Sequence, residues 1–213
     1  GRQTFESIHV DGAERVAKAA ASAGVKRLVH ISALGADIKS SSTYARSKAE
    51  GEVRVMEAFP RATMVRPGVV FGSEDQFFNK FAALFRLVPA LPIFGDGLFD
   101  AGSSKLQPVY VGDVAKAIVH ILDDVSTAGE MFELGGPQTY TYKEIMELVL
   151  QQTGRQRLLV PVPFWAARIV SAVFELLPTP PLTRDQLKLL AEDNVVSDDV
   201  KRLSDLGLTG SSV

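Results

Sequence analysis

The chain has 213 residues, of which 46% are hydrophobic and 23% charged, with a formal net charge of −2. That balance is the one expected of a soluble globular domain. It offers neither the basic excess nor the Lys/Arg run that nucleic acid requires. Cysteine is absent, which excludes disulfides, thiolate nucleophiles and thiolate metal sites, and no apolar run approaches the roughly 20 residues of a membrane-spanning helix.

The chain opens Gly-Arg-Gln-Thr-Phe, without an initiator methionine or a targeting segment, so a fragment of a longer protein is expected. From Phe5 to Ala23, Ile8, Val10, Ala13, Val16, Ala17 and Ala20 recur at helical spacing, and Gly24 stands where a C-terminal cap belongs. The run Arg27 to Ile31 then reads as a strand buried on both faces, completing half of a βαβ unit. His30 within it has no carboxylate or second histidine at ligand spacing and reads as a core or edge histidine.

Ser32 follows the strand, and a helix from about Ser42 to Phe59 carries Tyr44 and Lys48. Residues four apart share a helix face. An ammonium close to a phenol would favour the phenolate and lower the tyrosine pKa, giving an acid or base usable near neutral pH. A serine hydroxyl at the strand end could hold a substrate carbonyl or alcohol. Taken alone, Tyr-x-x-x-Lys is also a commonplace pair on a solvated helix face.

The second strand, from Ala62, must end at Pro67, because proline cannot sit within a central strand. This puts Pro67, Gly68 and Val69 beside Ser32 at the carboxyl ends of the strands, where open α/β sheets collect ligands. Glu74 to Leu91 reads as an amphipathic helix whose Phe77, Phe78, Phe81 and Phe85 are core residues, and Pro89 to Gly102 as a loop. Gln107 to Val111 is a short strand, with Asp113 as N-cap of the next helix. Glu130 to Gly135 is another strand, and Thr141 to Glu144 is a capping box for a helix closed by Gly154.

The last third begins with Pro161-Val-Pro163 and the helix Phe164 to Leu177, whose polar residues Arg168, Ser171 and Glu175 form one narrow stripe. Such a helix calls for burial on several sides, in its own lobe, on a partner subunit or at a membrane surface. A proline linker from Pro178 leads to a helix capped by Thr183 and Gln186, and Asp198 to Leu206 reads as a last short helix stopped by Gly207.

The order Leu-Val-His-Ile-Ser, Tyr-Ala-Arg-Ser-Lys, Val-Arg-Pro-Gly-Val-Val-Phe-Gly and Gln-Pro-Val-Tyr-Val-Gly-Asp-Val-Ala resembles the extended or atypical short-chain dehydrogenases/reductases. The tail narrows this. Asp-Gln-Phe-Phe-Asn, Pro-Val-Pro-Phe and Pro-Leu-Thr-Arg-Asp-Gln before Asp-Asn-Val-Val-Ser together resemble the NADPH-binding accessory subunits of respiratory complex I and their alphaproteobacterial relatives.

The resemblance implies an α/β fold: the C-terminal part of a Rossmann-type doubly wound parallel sheet at residues 1–72 and 106–135. A small, mostly helical, substrate-like lobe would take residues 73–105 and 136–213. It implies NADP(H), or NAD(H), held by Ser32, Tyr44, Lys48, Pro67, Gly68 and Val69, with Lys48 on the nicotinamide ribose and no metal. Ser32, Tyr44 and Lys48 would also be the catalytic residues if the protein turns over. Other complex I subunits are the implied partners, met through the Phe164–Leu177 helix or neighbouring surface, with a membrane surface as a further contact and no nucleic acid. The implied place is the matrix side of the mitochondrial inner membrane or the periphery of a bacterial cytoplasmic membrane.

No Gly-x-Gly-x-x-Gly or Gly-x-x-Gly-x-x-Gly turn for the pyrophosphate occurs in the chain, so it is expected to carry only the nicotinamide half of the site. Three functions fit this reading: a structural accessory subunit, an active epimerase, dehydratase or reductase on a nucleotide sugar or similar carbonyl, and a redox-sensing regulator.

Overall fold

The computed structural model describes residues 3–75, 77–97, 100–178 and 180–213. Gln76 of the Asp75–Asn79 string, Leu98 and Phe99 of the expected loop and Thr179 of the proline linker lie outside the described residues, as do Gly1 and Arg2. In chain order, α1 (Asp11–Ser22) leads to β1 (Val29–Ile31), α2 (Thr43–Ala58), β2 (Thr63–Pro67) and β3 (Val70–Phe71). Next come α3 (Phe78–Leu87), β4 (Ala90–Gly95), β5 (Lys105–Leu106), β6 (Val109–Tyr110), α4 (Val111–Asp123) and β7 (Met131–Leu134). The chain continues with β8 (Tyr140–Thr141), α5 (Tyr142–Gln152), β9 (Leu158–Pro163), α6 (Phe164–Phe174) and α7 (Arg184–Leu190). Two compact units result: residues 1–68, 109–137 and 196–213, and residues 69–108 and 138–195.

The first unit is built on the parallel sheet β1-β2-β7, with Ile31 paired to Val65 and Arg66 to Glu133. Pro67 is the last residue of the central strand. β1 is only partly buried rather than buried on both faces. Among the described residues it pairs with β2 alone, and Ile31 is 49% exposed.

α1 and α2 pack on each other and on one face of the sheet through Ala17, Val55, Phe59 and Met64. Gly24 closes the α1 segment at φ +67°, a left-handed conformation that a Cβ disfavours. The first turn of the expected helix, Glu6–Val10, is wound as a π-helix, the rarer five-residue closure that often marks functional positions.

Asp113 is not an N-cap. α4 starts two residues earlier, so Asp113 falls in its first turn, and its buried carboxylate accepts from Ser211 N at 2.6 Å and from Lys116 Nζ at 3.3 Å. It therefore ties the C-terminal segment to α4. That segment also adds Glu133 N–H to Lys201 O at 2.8 Å, so residues 196–213 stand with the first unit rather than with the helical lobe.

Burial pulls the Asp113 carboxyl upward, but the bonds from Ser211 and Lys116 outweigh it and hold the pKa below the ordinary value. A carboxyl depressed in the folded state contributes stability above its unfolded pKa, near 4, and loses it as pH falls through the folded value. Asp113→Asn is accordingly expected to lower the urea midpoint at pH 7. The gap to the parent should close as pH drops below about 4.

In the second unit Phe85, Ile93, Tyr142, Ile145, Met146 and Leu187 form the core, and the aromatic residues of α3 pack there as expected. Asp75 Oδ1 accepts from Phe78 N at 2.6 Å, so α3 begins later than the sequence periodicity suggests. The expected loop Pro89–Gly102 contains a strand instead: β4 pairs in parallel with β9, Ala90 opposite Leu158 and Gly95 opposite Pro163. A two-stranded sheet leaves each strand one unpaired edge, which tolerates Pro92, Pro161 and Pro163.

The capping boxes of Thr141 with Glu144 and of Thr183 with Gln186 form both of their bonds. The last expected helix reduces to a 3-10 turn at Leu203–Leu206, because Asp205 Oδ2 accepts from Arg202 N at 2.7 Å and starts the turn there.

α6 differs most from expectation. It ends at Phe174, and it buries only the small side chains Ala167 and Ser171, with Ser171 Oγ donating to Arg168 O. Trp165, Ile169 and Val173, at 67%, 63% and 60% exposure, face outward along one stripe. The bulky apolar face of this helix is therefore the open one, and its own lobe does not cover it.

Candidate functional site

The space between the sheet and the α1/α2 layer changes character along the strands. Leu28, Met64 and Met131 pack with Ala17, Val55 and Phe59 at the amino ends. Side chains two apart on a strand share a face, so His30 and Ser32, Arg66, and Glu133 continue these same rows toward the carboxyl ends. α2 runs the other way and lays Glu52, Lys48 and Tyr44 on successive turns above them. An apolar interlayer thus becomes a polar one where the strands end.

Its anchor is an ion-pair network. Arg66 donates to Glu52 with both arms of its guanidinium, Nε to Oε1 at 2.8 Å and Nη2 to Oε2 at 2.6 Å. Its Nη1 stands 3.5 Å from Glu133 Oε1, and Glu133 Oε2 accepts from Ser197 N at 2.8 Å. Both carboxylate side chains are 5% exposed, and the hydrogen bond from Arg66 to Glu52 pushes the guanidinium pKa above its ordinary value. Sequence reasoning missed these residues. The signal was a single charge inside each otherwise apolar strand, Arg66 after Thr-Met-Val and Glu133 between Phe132 and Leu134.

Lys48 Nζ donates to Ile31 O at 3.3 Å, which places the ammonium over the carboxyl end of β1. Burial lowers its pKa and Glu52 opposes that shift. Ser32 is buried, its N–H continuing the ladder to Val65 O at 2.7 Å. The Tyr44 phenol departs from expectation: burial raises its pKa above the ordinary value, and Lys48 does not pull it down. The proximity argument fails because burial of the phenol dominates. At neutral pH Tyr44 is a protonated phenol, able to donate a proton but not to accept one.

Pro67 and Gly68 line the strand ends, with Leu34 N–H on Pro67 O at 3.0 Å and Gly68 N–H on Leu134 O at 2.9 Å. Val69 packs against the apolar core of the second unit.

The π-turn ahead of α1 adds His9. Its Nδ1 lies 2.9 Å from Ser47 Oγ, which itself bonds Tyr44 O at 2.8 Å. A carbonyl only accepts, so Ser47 donates to it and His9 Nδ1 carries the hydrogen. The His9 ring stacks on Phe5 at 5.2 Å and meets Tyr44 edge-on at 5.5 Å. An open cleft of about 750 Å³ adjoins this group, lined by Thr4, Phe5, His9, Arg46, Ser47 and Glu50 among others. Among the described residues no group of histidines and carboxylates is arranged to hold a metal.

The family described as NAD dependent epimerase/dehydratase family matches residues 2–135. The chain belongs to the NAD dependent epimerase/dehydratase family. Its parallel α/β architecture is that of this family's Rossmann-like fold. A dTDP-glucose 4,6-dehydratase from Streptomyces venezuelae, solved with NAD, superposes with a TM-score of 0.61 at 22% identity, covering 74% of this chain and 54% of that one.

Two relatives extend over almost the whole sequence. The mitochondrial NADH-ubiquinone oxidoreductase 40 kDa subunit of Neurospora crassa is 35% identical over 211 residues, covering 99% of this chain and 54% of the relative. The mitochondrial NADH dehydrogenase [ubiquinone] 1 alpha subcomplex subunit 9 of Mus musculus is 36% identical over 205 residues, covering 96% and 53%. This member of the epimerase/dehydratase family therefore spans about half the length of the curated relatives it matches.

Proposed function

We propose that the chain is part of an accessory subunit of a respiratory NADH:ubiquinone oxidoreductase, in which an epimerase/dehydratase fold holds a nicotinamide dinucleotide for assembly and stability rather than turnover. The observation that carries this reading is similarity at 35–36% identity across 96–99% of the chain to two proteins named as subunits of that oxidoreductase. The open apolar face of α6, with Trp165, Ile169 and Val173 outward, supplies a surface for neighbouring subunits. In this reading the protein resides at the inner mitochondrial membrane, on the matrix side, or at the periphery of a bacterial cytoplasmic membrane. Among the described residues no helix is long and apolar enough to cross a membrane. Copurification of the native protein with respiratory-chain subunits tests the assignment, and recovery free of all of them would overturn it.

The residues present fit the nicotinamide side of such a cofactor, with NADP(H) preferred and NAD(H) the other candidate. Lys48 places an ammonium at the carboxyl end of β1, where it would donate to the ribose hydroxyls, and the buried Ser32 Oγ has no protein partner. Pro67, Gly68 and Val69 would pass beside the carboxamide, with Tyr44 at the ring. The glycine-rich turn for the pyrophosphate is not in this sequence, so the 213 residues alone are expected to bind weakly. Lys48→Met in the intact protein removes a charged hydrogen bond and should weaken NADPH binding about tenfold or more in a fluorescence titration. Unchanged affinity would remove Lys48 from the site.

A second reading is favoured by the retention of Ser32, Tyr44 and Lys48 together: an active short-chain dehydrogenase, epimerase or reductase. The cofactor would supply hydride exchange. The chain's own part would be donation of the Tyr44 phenolic proton to a substrate oxygen, with Ser32 orienting that oxygen. Turnover by the intact protein that Tyr44→Phe abolishes would establish this reading over the structural one.

A further inference from the structure

Among the described residues, the fully buried side-chain polar atoms that make no hydrogen bond are His30 Nε2 and Ser32 Oγ. A buried polar atom without a partner is costly and uncommon, so each calls for a specific explanation. The two belong together. They stand two positions apart on β1 and share its α2-facing side, since Ser32 N–H to Val65 O carries the strand pairing one residue past Ile31. The carbonyl between them, Ile31 O, is the one that receives Lys48 Nζ.

The charged and titratable groups around His30 come from every element packed on this face. They are His9 from the π-turn and Lys48 and Glu52 from α2, with Glu52 already paired to Arg66 of β2. Burial first, and then the Lys48 ammonium, hold His30 below the ordinary histidine range. It is therefore neutral at physiological pH, and a neutral imidazole presents one donor and one acceptor nitrogen.

Same-face neighbours on a strand are about 6.6 Å apart at Cα, and one water molecule joins polar atoms up to about 5.6 Å apart. Water both donates and accepts, and buried waters make about three such bonds. We propose that one ordered water lies between β1 and α2, hydrogen-bonded to His30 Nε2 and Ser32 Oγ and accepting a hydrogen from the Lys48 ammonium. His30 is thereby a positioning residue. Through the water it orients the lysine whose third hydrogen is left for the ligand. The water site itself is independent of the respiratory role, and only its effect on affinity rests on the reading of Lys48 as a cofactor contact.

The test uses the intact protein. A crystal structure that resolves waters should show one within hydrogen-bond distance of both atoms. Ring ¹⁵N NMR should show the His30 Nε2 resonance moving in Ser32→Ala. NADPH affinity should fall about tenfold in His30→Leu and stay within about twofold in His30→Gln, which keeps a donor and an acceptor. Direct contact of the two side chains, a His30 resonance indifferent to Ser32→Ala, or equal losses in the Leu and Gln variants would each overturn the proposal. Should Lys48→Met leave affinity unchanged, the cofactor reading fails, and the crystal and NMR arms still decide the water.

Discussion

Arg66→Met should destabilise the first unit by about 3–5 kcal/mol, read from its urea midpoint. The guanidinium is the cation bonded to both Glu52 and Glu133, and those carboxylate side chains are 5% exposed. Removing it leaves two like charges buried at the carboxyl ends of β2 and β7, with the bidentate bond to Glu52 gone. The magnitude comes from stranded charge rather than from the intrinsic value of the pair, which burial largely offsets.

That distinction is itself testable. Adding Glu52→Leu and Glu133→Gln to Arg66→Met should recover most of the loss, because the stranded carboxylates disappear while residue 133 can still accept from Ser197 N–H. A loss below about 1 kcal/mol in the single variant would mean that water already reaches the network.

Gly51→Ala is expected to cost about 3 kcal/mol in the thermal unfolding of the same unit, at the upper end of overpacking effects. Intrinsic propensity points the other way, since alanine is worth about 1 kcal/mol over glycine inside a helix. The difference is a contact. A Cβ on Gly51 would lie 2.1 Å from His9 O and 3.1 Å from its carbonyl carbon, and a backbone atom cannot rotate aside. The π-turn would have to shift away from α2, carrying the His9 ring off Tyr44 and breaking its bond to Ser47. If the variant proves more stable than the parent, the π-turn and α2 are not in close contact at this point.

Together the two variants separate the means by which α2 is held. Arg66 secures it to the sheet electrostatically, and Gly51 allows the π-turn ahead of α1 to approach within backbone contact. Gly51 and Glu52, the partner of Arg66, both lie within about a turn of Lys48 on α2, so the effects of the two variants on dinucleotide affinity should follow their effects on the position of α2.

Much of this was legible from residue order. Helical spacing located α1, α2, α4 and α5. Pro67 marked the end of β2, the Thr141 and Thr183 boxes fixed two helix starts, and the motif order announced the family. Such features depend on local chemistry, on a missing N–H, a side chain returning to its own backbone, or a 3.6-residue period. The carboxyl-end placement of Ser32 and Lys48 was legible too, because strand and helix direction follow from the βα alternation.

What the tertiary structure decided concerns partners distant in sequence. It left Ile31 of β1 half exposed and paired β4 with β9 in place of the expected loop. It turned the bulky side of α6 outward and brought residues 196–213 back to Glu133 and Asp113. It also reversed the expected ionisation of Tyr44. Spacing puts a lysine within reach of a phenol, but only the fold shows that burial dominates and keeps the phenol protonated. Local periodicity determines which residues share a face. What each face meets, and whether a charge there finds a partner, depends on contacts that no short window of sequence contains.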